Sequence, residues 1–397
     1  MWRISLNHRW RDAVLESAAA GPPPWSLLVY YHAGDGTGAG ELTWKSQDQP
    51  GTRDFDFYPQ GFTDRPLVFN SEQWKTLPEE ISLRVGEGFE VLSVQVEFRP
   101  PGGSRTPLRS DLGTMMYSPP STWRNREYEL FTFNLYPRIL YLVSEGFSVQ
   151  SRFLKRLAFF TEKPGFAGTL ARDEDIAGLR DWFAHDYRAR DLARFFDLAG
   201  KQNFPLNDSE ILLRDILLTQ GIIRIDRDAI VPGEGALIGL SVESRSRLPV
   251  YYVHETVHGL EFTMPALHTL FINYFNSLSS FEKDFLRTAL IYREYNVDRD
   301  QNLLAAETMA YLLQQRPEET DRYFMEYIKP WYTGYHKLRL AALGKSGEDY
   351  TDPVLDFLAE NPGIFGMRSR VLQKQFHELT GLRAETFFEL LPKERRL

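Results

Sequence analysis

The sequence of 397 residues contains no cysteine. This absence excludes disulfide bonds, metal sites built from thiolates and mechanisms that use a thiol nucleophile. The chain also lacks any long run of Lys or Arg and has a formal net charge of −8. Binding to a nucleic-acid backbone relies on clustered positive charge. We therefore expect no nucleic-acid partner.

Long hydrophobic runs are missing as well. Apolar stretches such as residues 157–160 and 236–240 are far shorter than the roughly 18 to 20 residues that a bilayer span requires. Residues 1–14 alternate polar and apolar side chains and lack the apolar core of about 7 to 15 residues found in secretory signals. We predict no transmembrane segment and a cytoplasmic location for the chain as written. A secreted or periplasmic location would require that a leader had been removed.

Apolar residues are abundant but occur in short runs over the first part of the chain. They make up 43% of the sequence, enough for more than one hydrophobic core, and the length favours two domains. Up to about residue 148, alternating runs are separated by Gly, Pro, Asn and Asp, a pattern typical of strands in antiparallel sheets. We predict an antiparallel β-sandwich domain over residues 1–148. Its predicted strands include residues 25–32, 53–58, 66–69, 80–85, 91–99 and 128–136.

From residue 151 onwards the period of the apolar residues changes to 3.6, which indicates helices. Helices are predicted from residue 173 or 175 to 183, over 191–199 and 209–220, and almost throughout after residue 249. Residues 235–244 are predicted to form a short edge strand just before the first of these later helices. The predicted fold class is therefore α+β, with a mainly helical second domain over residues 149–397.

The stretch YYVHETVHGLEF, residues 251–262, is the strongest sign of chemistry. His254 and His258 are four residues apart and lie on one face of the predicted helix, so both imidazoles can reach one ion. Glu255 is displaced by about 100° around the helix, so it can miss the ion and still reach a water molecule bound to it. As ordinary buried side chains, the two histidines would each need a hydrogen-bond partner.

The HETVH segment resembles the HExxH signature of the zincin metallopeptidases, and the resemblance is confined to this motif and its helix-rich surroundings. The longer metzincin motif requires a glycine and a histidine where this chain has Glu261 and Met264. The chain is therefore more similar to the gluzincin branch, in which a glutamate from a later helix is the third ligand. The resemblance implies a Zn²⁺ cofactor and hydrolysis of peptide bonds in a peptide or protein substrate.

Glu307 is the expected third ligand. In NLLAAETMAYLL its carboxylate emerges from an apolar stripe, and a buried carboxylate is costly unless a cation meets it. Glu307 lies 49 positions after His258 (307 minus 258), and Tyr311 occupies the position where many gluzincins have an aspartate. Glu294 and His268 remain as alternative ligands.

Three protein ligands would leave a fourth zinc position open to water, as in catalytic zinc sites. Zinc lowers the pKa of that water towards about 7, and Glu255 would accept its proton as general base. The developing oxyanion needs a further donor, for which Tyr311, Tyr332, Tyr335 and His336 are available; we select Tyr335 and His336 as catalytic residues.

The neighbouring residues His185 and Asp186 are interpreted as a structural pair. His185 and Asp186 could support the metal site, but at the end of a predicted helix such a pair is more often solvated.

An alternative function is that of a binding protein, in which the β-domain recognises a glycan or protein and the helical domain is a degenerate scaffold. Exposed tryptophans would suit sugar stacking, whereas the intact HETVH segment argues against degeneracy; the candidates are Trp25, Trp44, Trp74 and Trp123.

Overall fold

A computed structural model describes residues 2–5, 25–33, 38–45, 51–57, 66–70, 80–85, 88–98, 105–118, 120–179, 181–244, 248–297, 301–344, 352–382 and 384. The fold is α+β, with a strand-rich N-terminal region and a helical C-terminal part. The strands are β1 (Trp2–Ser5), β2 (Trp25–Ala33), β3 (Gly38–Lys45), β4 (Gly51–Phe57), β5 (Leu67–Asn70), β6 (Glu80–Arg84), β7 (Phe89–Phe98), β8 (Leu108–Ser110), β9 (Tyr128–Phe133), β10 (Ile139–Ser144), β11 (Ala184–Arg188), β12 (Ile223–Asp226), β13 (Ala229–Pro232) and β14 (Ala236–Ser241).

The helices follow mainly after β10. They are α1 (Leu112–Tyr117), α2 (Phe147–Thr161), α3 (Ala189–Lys201), α4 (Asp208–Thr219), α5 (Leu248–Thr263), α6 (Pro265–Ser277), α7 (Ser280–Tyr292), α8 (Gln301–Leu313), α9 (Pro317–Tyr323), α10 (Lys329–Ala342), α11 (Pro353–Glu360) and α12 (Ile364–Thr380), with a π-helical turn at Phe324–Ile328. No helix in the described part of the chain has both the length and the apolar character needed to cross a bilayer.

Two small antiparallel sheets form the N-terminal region. One has the strand order β5-β2-β7 and the other the order β1-β6-β3-β4. Leu27 and Phe69 from the first sheet and Ile81 and Leu83 from the second belong to one hydrophobic cluster. The predicted strands of this region are confirmed, whereas the β-sandwich stays a prediction.

A five-stranded mixed sheet lies at the centre of the helical part. Its order is β11-β14-β10-β9-β8, and β10 runs parallel to β14 with Leu142 opposite Gly239. This sheet crosses the predicted boundary at residue 148, because β10, which precedes the boundary, pairs with β14, which follows it. The boundary is therefore corrected: the change in apolar period at that point marks a change from strands to helices within one packed unit.

Helices cover both faces of this central sheet. Along β9 and β10, Phe131, Ile139 and Tyr141 point into a hydrophobic core shared with α5, α6 and α8. Their neighbours Leu130 and Leu140 point into a second core shared with α2, α3 and α4. The alternation of side chains in a strand thus serves two cores at once, which explains why every residue of β9 and β10 is buried.

Two local predictions are wrong. Strand β14 lies in the interior of the sheet between β10 and β11, and all its residues are buried, so it is not an edge strand. The continuous apolar run ALIGLS is typical of a strand covered on both faces. The helix predicted up to residue 183 is absent from the described residues of that stretch, which form turns and irregular structure before β11 begins at Ala184. Gly178 has a φ of +75° there, which is incompatible with a continuing helix.

Candidate metal centre

Helix α5 carries the HETVH residues and is anchored on the central sheet. Tyr141 Oη and Thr256 Oγ1 are hydrogen-bonded at 2.9 Å, and the rings of Tyr141 and Tyr252 stack at 6.1 Å between centroids. A Cβ atom on Gly259 would lie 3.0 Å from Ile238, so the absence of a side chain lets the helix approach the sheet. These contacts fix the rotation of α5 and direct His254 and His258 away from the sheet.

Helix α8 packs beside α5 and brings Glu307 to the two histidines. Ala305, Ala306 and Ala310 are buried along α8, and small side chains allow two helices to approach closely. Glu307 itself is only 5% exposed. The apolar stripe recognised in the sequence therefore faces the protein interior, and the carboxylate emerges from it.

The three predicted ligands converge on one point. Their ligand atoms all lie within 4.8 Å of one another, and all three residues are buried. His254 Nε2 is 3.3 Å from Glu307 Oε2, and His258 Nε2 is 3.5 Å from Glu307 Oε1. The two Nε2 atoms are 3.2 Å apart. His254, His258 and Glu307 are thus close enough to hold a metal ion.

The hydrogen bonding of this group fits a cation. Within the described structure, Oε2 of Glu307 has no hydrogen-bond partner although it is buried. Buried polar atoms are nearly always satisfied, and an ion between the three side chains would satisfy this one. The donor set of two imidazole nitrogens and one carboxylate is a common one for transition-metal ions and zinc.

The electrostatics of the two histidines differ. Burial lowers the pKa of His258 to about 4, so its ring is neutral at pH 7 and has a lone pair for a metal. Burial also opposes protonation of His254, but Glu307, Gln314 and Asp186 outweigh it and raise the pKa of this ring. A proton and a metal ion therefore compete for the same nitrogen of His254.

Asp186 and Glu255 form a second part of the site. Side chains alternate along β11, so Asp186 faces α5 while its neighbours His185 and Tyr187 face the opposite core. The carboxyl groups of Asp186 and Glu255 are hydrogen-bonded, and burial, followed by the charge of Asp186, raises the pKa of Glu255. The interpretation of His185 and Asp186 as a solvated pair at a helix end is wrong, because both lie on a strand of the central sheet and His185 is buried.

Acidification is expected to destabilise the protein through His185. Burial lowers the pKa of this ring to about 3, whereas a histidine in an unfolded chain titrates near pH 6.5. The unfolded chain binds the extra proton first, so stability falls as the pH drops from about 6.5 towards 3. Between pH 7 and 5 the expected loss is on the order of 2 kcal/mol, which urea unfolding at both pH values can measure.

The His185→Gln variant isolates this contribution, because glutamine does not titrate. Carboxyl groups elsewhere affect the variant and the wild type equally, so the variant should lose less stability than the wild type between pH 7 and 5. An equal loss in the two proteins would contradict a neutral, buried His185.

Among the candidate oxyanion donors, Tyr311 is the one that contacts a ligand. Its ring centroid is 4.9 Å from that of His254, and its Oη is 3.4 Å from Tyr295 Oη. Tyr335 and His336 lie on α10, where His336 packs on Tyr332 at 4.6 Å and Tyr335 packs on His336 at 5.7 Å. Neither of these two ring contacts involves one of the three predicted ligands, and the catalytic role of Tyr335 and His336 stays a prediction.

The alternative third ligands lie elsewhere. The side chain of Glu294 is 71% exposed and its carboxylate is 3.5 Å from Lys163 Nζ. His268 Nδ1 is paired with Glu261 Oε1. Glu294 and His268 are thus each paired with an oppositely charged protein group. Among the described residues, Glu307 is the one whose carboxylate lies close to both His254 and His258.

Next to Tyr311 lies an aromatic stack, which we call the aromatic cover: Trp182, Tyr295 and Lys163. The rings of Trp182 and Tyr295 stack at 5.9 Å, and Lys163 Nζ lies 4.0 Å from the Trp182 ring centroid. Tyr295 in turn reaches Tyr311. Nothing in the sequence indicates that Tyr295 lies near the site. It lies outside any regular helix, and its neighbours in space are distant in the chain.

The tryptophans named for glycan stacking are mostly engaged in packing. Trp25 is 3% exposed and belongs to the N-terminal hydrophobic cluster, while Trp44 and Trp123 are partly buried against hydrophobic clusters. Trp74 lies outside the described residues.

Comparison of this chain with protein families, with curated proteins and with solved structures finds no match.

Proposed function

We propose that this protein is a zinc-dependent peptidase of the gluzincin type, in which Glu255 acts as general base. The observation that carries the proposal is the convergence of His254, His258 and Glu307 on one buried point, with the carboxyl group of Glu255 next to it. The HETVH resemblance supports the same assignment.

The donor set favours zinc over the hard cations. Calcium and magnesium prefer cages of oxygen ligands, whereas zinc accepts two imidazoles and a carboxylate. His254, His258 and Glu307 would hold the ion as three protein ligands, the number found in catalytic zinc sites. Bound there, zinc would supply Lewis acidity, which polarises a carbonyl and makes a water molecule more acidic.

Glu255 would handle the proton. It is adjacent to a ligand in the chain but outside the ligand group. A zinc ion held by the three ligands would lower the raised pKa of the Glu255 carboxyl, and the carboxylate could then take a proton from the attacking water. As the C–N bond breaks, the same proton passes to the departing amine, which leaves Glu255 as it began. Asp186, hydrogen-bonded to Glu255, holds that carboxyl in place.

Tyr311 is the best placed donor for the negative charge that develops on the substrate oxygen. It contacts His254 and is linked to Tyr295 through their hydroxyl groups. A preorganised hydroxyl at such a position stabilises the transition state more than the substrate.

Digestion of a peptide library tests the proposed function. Protein with one equivalent of zinc should cleave, a chelator should stop cleavage, and added zinc should restore it; mass spectrometry identifies the products. If zinc-loaded protein cleaves no peptide but retains a glycan or protein partner, the binding alternative is correct. If the protein neither contains zinc nor gains thermal stability on its addition, the metal assignment fails as well.

A further inference from the structure

Helix α8 contacts His254 on three sides. Glu307, Tyr311 and the next residue after the helix, Gln314, follow one another at i, i+4 and i+7, which places them on one stripe. Glu307 faces Nε2 of His254 at 3.3 Å, Tyr311 packs on the ring at 4.9 Å, and Gln314 Oε1 lies 2.7 Å from Nδ1. A single helix stripe therefore supplies a ligand and also orients another ligand.

The second histidine has no comparable support. Among the described residues, Nδ1 of His258 has no hydrogen-bond partner. Its ring stacks on Phe262, one turn further along the same helix, at 6.1 Å. His254 is therefore the ligand whose orientation is fixed from outside, and Gln314 is the residue that fixes its far nitrogen.

The contact between Gln314 and His254 determines which nitrogen carries the proton. An amide oxygen only accepts hydrogen bonds, so Nδ1 of His254 must donate to it. In a neutral imidazole this leaves the lone pair on Nε2, the atom that faces His258 and Glu307. Gln314 is 2% exposed, so water does not compete for the bond.

The chemical nature of Gln314 also matters. Histidine ligands often donate to a carboxylate, which makes the ring a stronger ligand. Here the partner is a neutral amide, in a site that already contains Asp186, Glu255 and Glu307. The amide orients the ring without adding a further buried negative charge.

We propose that Gln314 is a positioning residue: it fixes the Nδ1–H tautomer of His254 and sets the affinity of the metal centre. The proposal rests on the metal centre of the proposed function and not on peptidase activity. Loss of such an outer partner typically weakens metal binding by about 10- to 100-fold. A carboxylate at the same position should strengthen it.

Three variants test the proposal through zinc affinity, measured by competition with a chromophoric chelator. Gln314→Met keeps the size of the side chain and removes the acceptor, so the dissociation constant should rise about 10- to 100-fold. Gln314→Glu keeps an acceptor and should bind zinc at least as tightly as the wild type. Gln373→Met is the matched control, because Gln373 is a buried glutamine with bonds to Gln315 O and Ser369 Oγ. It should lower the melting temperature and leave zinc affinity unchanged.

Nitrogen NMR of the histidine rings gives a second, independent measurement. In metal-free wild-type protein, at a pH where the His254 ring is neutral, the ring should be the Nδ1–H tautomer, and this signature should be lost in Gln314→Met. Wild-type zinc affinity in Gln314→Met, or an Nε2–H tautomer of His254 in the wild type, would overturn the proposal. Absence of zinc binding by the wild type would overturn it too. Normal zinc binding without any cleavage would remove only the peptidase assignment.

Discussion

Glu255→Gln should lower the rate of peptide cleavage by about 10² to 10⁴, the range attributed to general base catalysis, and should leave zinc bound. Glutamine has the shape of glutamate but cannot accept the proton of the attacking water. The loss should therefore appear in kcat, with little change in the folded structure. Steady-state cleavage of a peptide identified from the library, together with metal analysis of the same sample, measures both effects.

Glu261→Gln is the matched control for this result. Glu261 is a buried carboxylate on the same helix, but its oxygens are engaged by Arg188 and His268. This variant should retain cleavage even if its stability falls. Cleavage by Glu255→Gln at the wild-type rate would show that another group takes the proton.

Glu307→Ala should weaken zinc binding more than any change to a residue outside the ligand group. The variant loses the charged ligand and leaves His254 and His258 with no carboxylate between them, so the loss of affinity should exceed the roughly 10- to 100-fold expected of Gln314. Zinc at 100 times its dissociation constant stabilises the wild type by about 2.7 kcal/mol. The variant should show none of this stabilisation in a thermal unfolding experiment.

Glu294→Ala provides the comparison for Glu307→Ala. Glu294 is an alternative third ligand suggested by the sequence, and its side chain is largely exposed. This variant should bind zinc normally. A loss of zinc in Glu294→Ala with retention in Glu307→Ala would reassign the third ligand.

The ligand set could be predicted because it depends on local patterns. The spacing of His254 and His258 places both on one helix face whatever surrounds the helix. Glu307 stood out because a carboxylate in an apolar stripe has to meet a partner inside the protein. Neither inference required knowledge of the strand pairing. The only packing assumed was the approach of the helix that carries Glu307 to the helix that carries the two histidines.

The features that depend on strand pairing could not be predicted. Ile139 of β10 pairs with Ala236 of β14, 97 positions away (236 minus 139), and alternation within a strand does not specify its partner. For this reason the domain boundary predicted at residue 148 falls inside a packed unit, and the predicted edge position of β14 is wrong. The role of Asp186 depends on the same pairing, because β11 is positioned by β14.

The choice of Tyr335 and His336 among the aromatic residues stays a prediction for a related reason. Tyr335 and His336 lie in a stretch rich in aromatic side chains, WYTGYHKL, and the sequence does not show which face of that helix meets the ligands. Tyr311 and Gln314 share a stripe with Glu307, so their positions follow once Glu307 is accepted as a ligand. Helical spacing from the predicted ligand Glu307 is thus more informative than the presence of many aromatic residues in one stretch.

The aromatic cover separates how tightly an ion is held from how quickly it is exchanged. His254, His258 and Glu307 are each at least nine-tenths buried, and Tyr295, stacked on Trp182, reaches Tyr311 beside them. Release of an ion from so buried a site should require a transient opening of the surrounding packing, so its residence time depends on the free energy of local opening as well as on the ligands. Removal by a chelator should therefore reach a rate that no longer increases with chelator concentration, and weakening the Trp182–Tyr295 stack should raise that limiting rate.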